Sequence, residues 1–389
     1  MRKLNSIELF AGAGGLAIGL HEGGFSPKAI VEINKDACQT IRSNKIFNFG
    51  SSLYEGDVSK FDYLSVNETI DLISGGPPCQ PFSLGGKAKG HGDSRDMFPE
   101  AVRAIREKRP RAFVFENVRG LLRKSFFEYF EYIILQLQYP SIDKKLKEDW
   151  QGHRARLECY HTQSKHTELE YNVVYRLVNA ADYGVPQKRE RVFIVGFRSD
   201  IDAKWTFPER THSEDALLWD KWITKQYWSR HNIKNPIINE KELRMAEKLQ
   251  AKYGMFEPQQ KPWITVRDAL ADLPDPKSSH AKFYNHHEFK DGAKIYLGHT
   301  GSYIDDPSKA LKAGGHGVPG GENMIRFEDG SVRYFTVRES ARIQTFPDSF
   351  EFQGAWGEVM RQLGNAVPTE LSRKVGQSIF QSLKTKKST

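Results

Sequence analysis

A doubly wound, mostly parallel α/β sheet with a second, smaller domain is the fold this sequence predicts, on three observations. Short apolar runs alternate with stretches of helical period through the first 200 residues. Glycine- or proline-rich turns follow several of those runs, as they do at the carboxyl ends of strands in such sheets. Near residue 200 the alternation dissolves. Residues 201–330 hold five of the seven tryptophans (Trp205, Trp219, Trp222, Trp228 and Trp263), a composition shift that marks another domain. The expected division is 1–200 plus 360–389 for the α/β domain and 201–359 for the second domain with its hinge.

Each element has its own reason. Residues 6–10 are a buried apolar strand, 11–15 are glycine-rich, and a helix starts at Leu16. Residues 29–33 form a second strand and 35–43 a helix. Residues 72–74 and 112–116 are short apolar strands, separated by a helix over 98–108 that Pro110 stops. Phe126, Phe130, Ile133, Ile134 and Leu137 recur at helical spacing and give a one-sided helix. Residues 171–179 and 191–197 add two strands, and 369–383 a last helix with a frayed basic tail. Residues 139–170 are polar and charged and are expected as an insertion or mobile loop.

The 389 residues carry a net charge of +8 and are 39% hydrophobic, which excludes a collagen-like or disordered chain. Three cysteines, Cys38, Cys79 and Cys159, form no C-x-x-C pair, so neither a disulfide framework nor a structural zinc site is expected. No apolar run approaches the roughly 18 residues of a membrane span, and no signal-peptide core follows the N-terminus. A cytoplasmic protein without metal or membrane is the expectation. The basic surplus is −2 over residues 1–100, +6 over 101–200, zero over 201–330 and +4 over 331–389, so it lies outside the expected second domain. It permits a polyanionic partner without requiring one.

Five stretches carry candidate chemistry. Phe10-Ala-Gly12-Ala-Gly14-Gly15-Leu16 lets the backbone turn sharply over a helix N-terminus. Glu32 and Asp57 end the next strands, where carboxylates can hold ribose hydroxyls. The spacing departs from G-x-G-x-x-G, which points to a nucleoside-containing cofactor rather than a dinucleotide. Gly75-Gly76-Pro77-Pro78-Cys79-Gln80-Pro81-Phe82-Ser83 fixes a rigid exposed turn around one cysteine, a nucleophile or a structural turn residue. The glycine-rich run after it, with Lys87, Lys89, His91 and Arg95, is a cationic lid or a solvated loop. Phe115-Glu116-Asn117-Val118 puts a carboxylate on the same sheet edge. Gln187, Arg189 and Arg191 alternate to one side of a strand, suited to an anion or carbonyl. Gln362-Leu-Gly364-Asn365-Ala366-Val367-Pro368 opens the final helix.

In this order the stretches resemble the cytosine-5 DNA methyltransferases, with Thr336-Val-Arg338-Glu-Ser-Ala-Arg342 as a further shared segment. The resemblance covers most of residues 6–200 and 331–380. It implies a Rossmann-like methyltransferase fold that takes S-adenosyl-L-methionine and methylates cytosine in double-stranded DNA. Phe10, Gly12, Gly14, Gly15, Leu16, Glu32, Ile33, Asp57, Val58, Pro78, Asn365, Ala366 and Val367 would hold the cofactor. Cys79 would attack carbon 6, Glu116 would contact ring nitrogen 3 and the exocyclic amine, and Arg191 the carbonyl at carbon 2. Arg189 would help hold Glu116 and the 365–367 loop. Gln80, Ser83, Lys87, Lys89, Arg95 and Gln187 would contact DNA. A base inside a duplex cannot reach such a cysteine, so the target must be flipped out.

The resemblance also makes 201–359 the target-recognition domain. Within it, residues 277–303, with Lys282, Tyr284, His286, His287, Lys290, Tyr296 and His299, are either a base-reading stretch or an ordinary polar surface. Many members have Thr-Leu or Thr-Ile where this chain has Ala310-Leu311, so no hydroxyl contact carries over there. A monomeric bacterial enzyme of the nucleoid is implied, either paired in function with a restriction endonuclease that it does not bind or solitary. A transfer-RNA methyltransferase of the same type would have a small second domain and a Cys-Phe-Thr triplet, whereas this chain has about 130 residues and no such triplet. Intact Cys79, Glu116 and Arg191 argue against a non-catalytic DNA-binding module. A nicotinamide oxidoreductase would have no use for the Pro-Pro-Cys-Gln turn.

Overall fold

Apolar strands flanked by helices build one sheet in the first half of the chain. The computed structural model describes residues 3–47, 52–78, 96–163, 168–237, 239–313 and 323–384. The chain divides into a first unit, Met1–Val178 with Glu190–Phe207 and Ser372–Thr389, and a second, Asn179–Arg189 with Pro208–Leu371. Residues 179–189 and 360–371 thus fall in the second unit, where the sequence reading had put both with the α/β domain.

The first unit contains β1 (Leu4–Leu9), α1 (Gly15–Glu22), β2 (Phe25–Glu32), α2 (Lys35–Ser43), β3 (Ser52–Glu55), β4 (Leu72–Gly75), α3 (Phe98–Lys108), β5 (Ala112–Val118), α4 (Phe127–Gln138), α5 (Trp150–Thr162) and β6 (Tyr171–Asn179). After β7 (Gln187–Lys188), which pairs in the second unit, comes β8 (Glu190–Arg198). The sheet order is β3-β2-β1-β4-β5-β8-β6. From β3 to β5 every pairing is parallel, and β8 runs antiparallel to β5. The order reverses between β1 and β4, and open α/β sheets place their ligands outside the carboxyl ends of the strands at such a point.

Local chemistry explains the helices. Asn34 caps α2 by accepting the Ala37 N–H, with Asp36 in the first turn and Arg42 in the last. In α3, Pro99 stands in the first turn, and Arg109 ends the helix in the left-handed region before Pro110. Residues 139–170, expected as an insertion or mobile loop, instead build α5 among the described positions, packed on α4. Leu157 is fully buried, and His153 links Tyr132 to the Ile142 carbonyl through its two ring nitrogens, at 2.9 and 2.8 Å.

The second unit contains β9 (His212–Ser213), α6 (Glu214–Leu218), α7 (Gln226–Arg230), α8 (Glu240–Tyr253), β10 (Lys261–Pro262), α9 (Val266–Leu270), β11 (Ser302–Tyr303), β12 (Ser308–Lys309), β13 (Met324–Arg326), β14 (Val332–Tyr334), α10 (Val337–Ile343) and α11 (Trp356–Asn365). The helix α12 (Thr369–Lys384) leads back to the first unit. Strands here are two or three residues long, so side-chain packing holds the unit. Trp219, Trp228 and Trp263 are buried in it, and Trp228 and Trp263 pack with Tyr227 and Leu217. The tryptophan surplus is core rather than surface. Among the described residues no helix is long and apolar enough to cross a membrane.

Candidate active site

Strand register brings the candidate residues of the first unit into one row. Leu9 pairs with Val31 and Gly75, Gly75 with Phe115, and Glu32 with Glu55. Phe10, Glu32, Glu55, Gly76 and Glu116 therefore follow one another along the carboxyl edge. With strands about 4.8 Å apart, three intervals from β2 to β5 set Glu32 and Glu116 roughly 14 Å apart.

At one end, the glycine turn is folded around Glu32. Its carboxylate accepts the Gly12 N–H at 2.6 Å and the Ile33 and Asn34 N–H groups at 2.9 and 2.7 Å. A carboxylate has about four acceptor positions, so one remains for a further donor, where the sequence reading expected two hydroxyls to be held. Phe10 and Gly12 adopt positive φ, and a Cβ on Gly14 would stand 2.3 Å from the Phe47 ring. Leu16 is buried in the core, leaving only its backbone to face a ligand. Ile33 is 66% exposed, an apolar side chain left open beside Glu32. Asp57 accepts the Ser59 N–H at 2.9 Å, and Ser59 holds its carboxyl below the usual range. Val58 is buried behind it, and Pro78 is exposed at the end of β4's turn.

At the other end, Glu116 forms an ion pair with Arg191 at 2.7 Å. Both lie across the antiparallel β5–β8 pairing, which sets Val118 opposite Arg191 and Glu116 opposite Phe193. Burial presses the Arg191 guanidinium below its ordinary pKa, and the Glu116 charge opposes that shift. A Cβ on Gly76 would stand 3.4 Å from the Glu116 Oε2, so the turn runs in contact range of the carboxylate. Asn117, to which the sequence reading gave no role, donates to the Pro77 carbonyl at 2.9 Å and pins that turn. Its place in the Glu-Asn-Val triplet was the signal available. The Met97 N–H donates to the Pro78 carbonyl at 3.2 Å. Cys79, Gln80, Ser83, Lys87, Lys89 and Arg95 lie outside the described residues.

The Gln187, Arg189, Arg191 series splits between the units. Gln187 was expected at DNA, but it is fully buried. Its amide bonds the Gln344 side chain at 3.2 Å and takes the Leu311 N–H at 3.0 Å, which leaves nothing to offer a nucleic acid. Arg189 is fully buried and donates to the Leu311 and Gly364 carbonyls at 3.1 and 2.7 Å. That ties Arg189 to the residue before the 365–367 loop, and the guanidinium shown against Glu116 is that of Arg191. In the loop Asn365 is exposed, while Ala366 and Val367 are buried. His287, a candidate base reader, is buried between Thr336 and the Pro274 carbonyl, at 2.9 and 2.8 Å. Arg338 is buried and ties α10 to the Asn285, Pro347 and Phe350 carbonyls.

Comparison with known proteins matches the chain to the C-5 cytosine-specific DNA methylase family over residues 4–139 and 150–381. The Type II methyltransferase M.PspPI of Psychrobacter sp. (strain TA137) is 32% identical over 384 residues, 98% of this chain and 80% of that protein. M.NgoMIV of Neisseria gonorrhoeae, also a Type II methyltransferase, is 32% identical over 388 residues, covering 98% and 99%. A putative DNA modification methyltransferase encoded within an E. coli prophage shares the fold, with a TM-score of 0.60 at 21% identity, covering 98% and 100%. With nearly its whole length aligned to such relatives, the chain belongs to the C-5 cytosine-specific DNA methylase family.

Proposed function

We propose that this DNA methyltransferase moves a methyl group from S-adenosyl-L-methionine to carbon 5 of a cytosine flipped out of duplex DNA, with Cys79 as the nucleophile. The observation that carries this reading is the Glu116–Arg191 pair beside the Gly76–Pro77 turn that leads into Cys79. At the other end of the row, an exposed apolar Ile33, an oriented Glu32 carboxylate with one acceptor position left, and the open space around Gly12 suit a nucleoside. Bound there, the sulfonium supplies an electrophilic methyl group.

The residues then divide the labour. The Cys79 thiolate forms a bond to carbon 6, and the ring's double-bond electrons move towards carbon 5 and the ring nitrogens. Glu116, in its protonated form, would give its proton to nitrogen 3 as the thiolate adds and take it back once carbon 5 carries the methyl group, while its carboxyl oxygen accepts from the exocyclic amine. Arg191 donates to the carbonyl at carbon 2 while keeping Glu116 oriented. After carbon 5 has taken the methyl group, a base removes its proton and the electrons expel Cys79 as thiolate. Arg189 is a positioning residue for the 365–367 loop. Ser83, Lys87, Lys89, Arg95 and Gln80 follow Cys79 and would contact the phosphate backbone.

The second unit would read the target sequence. The Type II names of the relatives support protection of a site that a restriction endonuclease also cuts, without the two enzymes binding each other. A monomer in the bacterial cytoplasm fits that role. Bisulfite sequencing of DNA from cells expressing the chain should show methylated cytosine in one short sequence, and Cys79→Ser should abolish it while cofactor binding persists. A duplex with 5-fluorocytosine at the target should trap a covalent adduct. Turnover by Cys79→Ser, or binding without an adduct, would overturn the mechanism.

A further inference from the structure

Tyr129, Tyr132 and Gln136 stand three and four positions apart on α4, so one face of the helix carries all three. Gln136 is only 7% exposed, yet its amide makes no hydrogen bond among the described residues. A buried polar group normally has a partner, and one without it calls for a reason. The face opens on a cavity of about 580 Å³ between α3, α4 and the stretch 142–153, all within the first unit. Pockets that hold small ligands run from about 300 to 1,000 Å³. Ile142, Asp143, Lys144 and Asp149 line it, and they fall in the stretch 140–149 that the family match leaves out. None of the residues expected to hold the cofactor lines it.

The lining says what would fill the cavity. A carboxamide presents a donor and an acceptor side by side, which the N6–N7 edge of adenine matches with two hydrogen bonds. The Trp150 ring meets Tyr129 and Tyr132, with centroids 5.6 and 5.7 Å apart, so the wall that Gln136 shares is aromatic and suits a planar base. Two cations stand ready for an anion. Lys144 is exposed and has no ion pair among the described residues. Arg106 engages only its Nη1, on the Asp143 carboxylate and the Pro140 carbonyl, and its Nε and Nη2 remain to donate to phosphate. The Asp143 side chain is 65% exposed, so a phosphate can replace it at Arg106 without leaving a buried charge unpaired. The other acids are engaged: Glu100 with Arg103, Asp96 with the Tyr129 hydroxyl and Asp149 as the cap of α5. That disfavours a cationic ligand.

We propose that this cavity binds a free adenine nucleotide, with Gln136 on the base edge, the aromatic wall against the base plane, and Lys144 with Arg106 on the phosphate. The site is distinct from the row that begins at Glu32. S-adenosyl-L-methionine carries the same base but no phosphate, so the two cations distinguish the ligands. The proposal goes beyond methyl transfer and does not rest on it. Arg103 is left out of the test, because it donates to the Val58 carbonyl at 2.7 Å and so reaches the residues expected at the cofactor.

The test is equilibrium dialysis of labelled adenosine monophosphate against the full chain, with saturating S-adenosyl-L-homocysteine present to fill the cofactor row. One site with a Kd below about 1 mM is expected. Gln136→Leu removes the amide and should weaken binding about tenfold. Its urea midpoint should stay at or above the parent's, since no hydrogen bond is lost. Lys144→Ala, at an exposed position without partners, keeps the test decisive if the first variant fails to fold. It should also weaken binding about tenfold, while adenosine, which lacks the phosphate, binds it and the parent alike. Cytidine monophosphate and inorganic phosphate should each bind the parent at least about tenfold more weakly than adenosine monophosphate. Absence of binding, displacement by S-adenosyl-L-homocysteine, equal binding of the two mononucleotides, or unchanged affinity in either folded variant would overturn the site. The measurement involves no methyl transfer, so its failure and that of the methyltransferase reading are separate.

Discussion

Glu8 is a carboxyl group with no water to ionise into. It lies 2% exposed on β1 and takes the hydroxyl of Ser74, its partner across the β1–β4 register. Burial pushes its pKa up to about 8, and the serine bond recovers only part of that shift. Between the ordinary value of 4.5 and about 8, the folded chain keeps a proton that the unfolded chain has released. Stability therefore falls as pH rises through that window and levels off above it. Glu8→Gln should remove this fall, so urea midpoints measured at pH 5.5 and 8.5 should converge relative to the parent. Identical pH dependence in both proteins would refute the assignment. The same residue scale shows what was legible. Glu116 and Arg191 could be read from their motifs, and the ion pair joins them. The burial of Gln187 and Arg189 could not. Their partners, Leu311, Gln344 and Gly364, lie more than 120 positions away, and alternation along a strand does not reveal what stands opposite.

Elements were legible where local chemistry decides them. The bounds of α2 and α3 follow from an asparagine cap and from Pro99 and Pro110. The helix α5 was missed because it buries only His153 and Leu157, too few for a helical period to register. The two-residue strands of the second unit were missed for a similar reason, since a period of two needs four or more residues. Packing between elements is likewise hidden in sequence. At Gly364 in α11, a Cβ would stand 2.3 Å from the Ala313 backbone nitrogen and 2.5 Å from its Cα. Those are main-chain atoms, which cannot rotate away as a side chain would. Gly364→Ala should therefore cost about 1–3 kcal/mol by overpacking. It should also shift the Gly364 carbonyl to which Arg189 donates. Urea unfolding would measure the loss of stability. A variant as stable as the parent would show that the approach of residue 313 is not close in solution.

At the scale of the molecule, the first unit is assembled from three separated stretches of chain. The composition shift near residue 200 announced a second unit, and the return of a helix near residue 369 announced the way back. Why residues 179–189 leave the first unit was not legible, because they run directly into β8 and share its motif. Their backbone shows the reason: Gln187 and Lys188 pair with Ser308 and Lys309 of β12 rather than with the central sheet. The last stretch closes the first unit. Val375, Ile379 and Leu383 are buried, and Phe380 meets Phe25 edge-on at 5.8 Å. Arg111 donates to the Leu383 carbonyl at 2.7 Å, and Trp205 donates to the Ser378 hydroxyl at 2.7 Å. Burial of such aliphatic side chains stabilises by about 1.5–3 kcal/mol apiece, so together they approach the whole stability of a typical domain, roughly 5–15 kcal/mol. A chain ending at Leu371 should therefore lose the first unit, which cannot complete its core until the last stretch of chain is made. Limited proteolysis should cut it rapidly within residues 3–178 and within 190–207, with no cofactor binding left. A chain ending at Leu371 that still resists protease and binds cofactor would show that the sheet closes without α12.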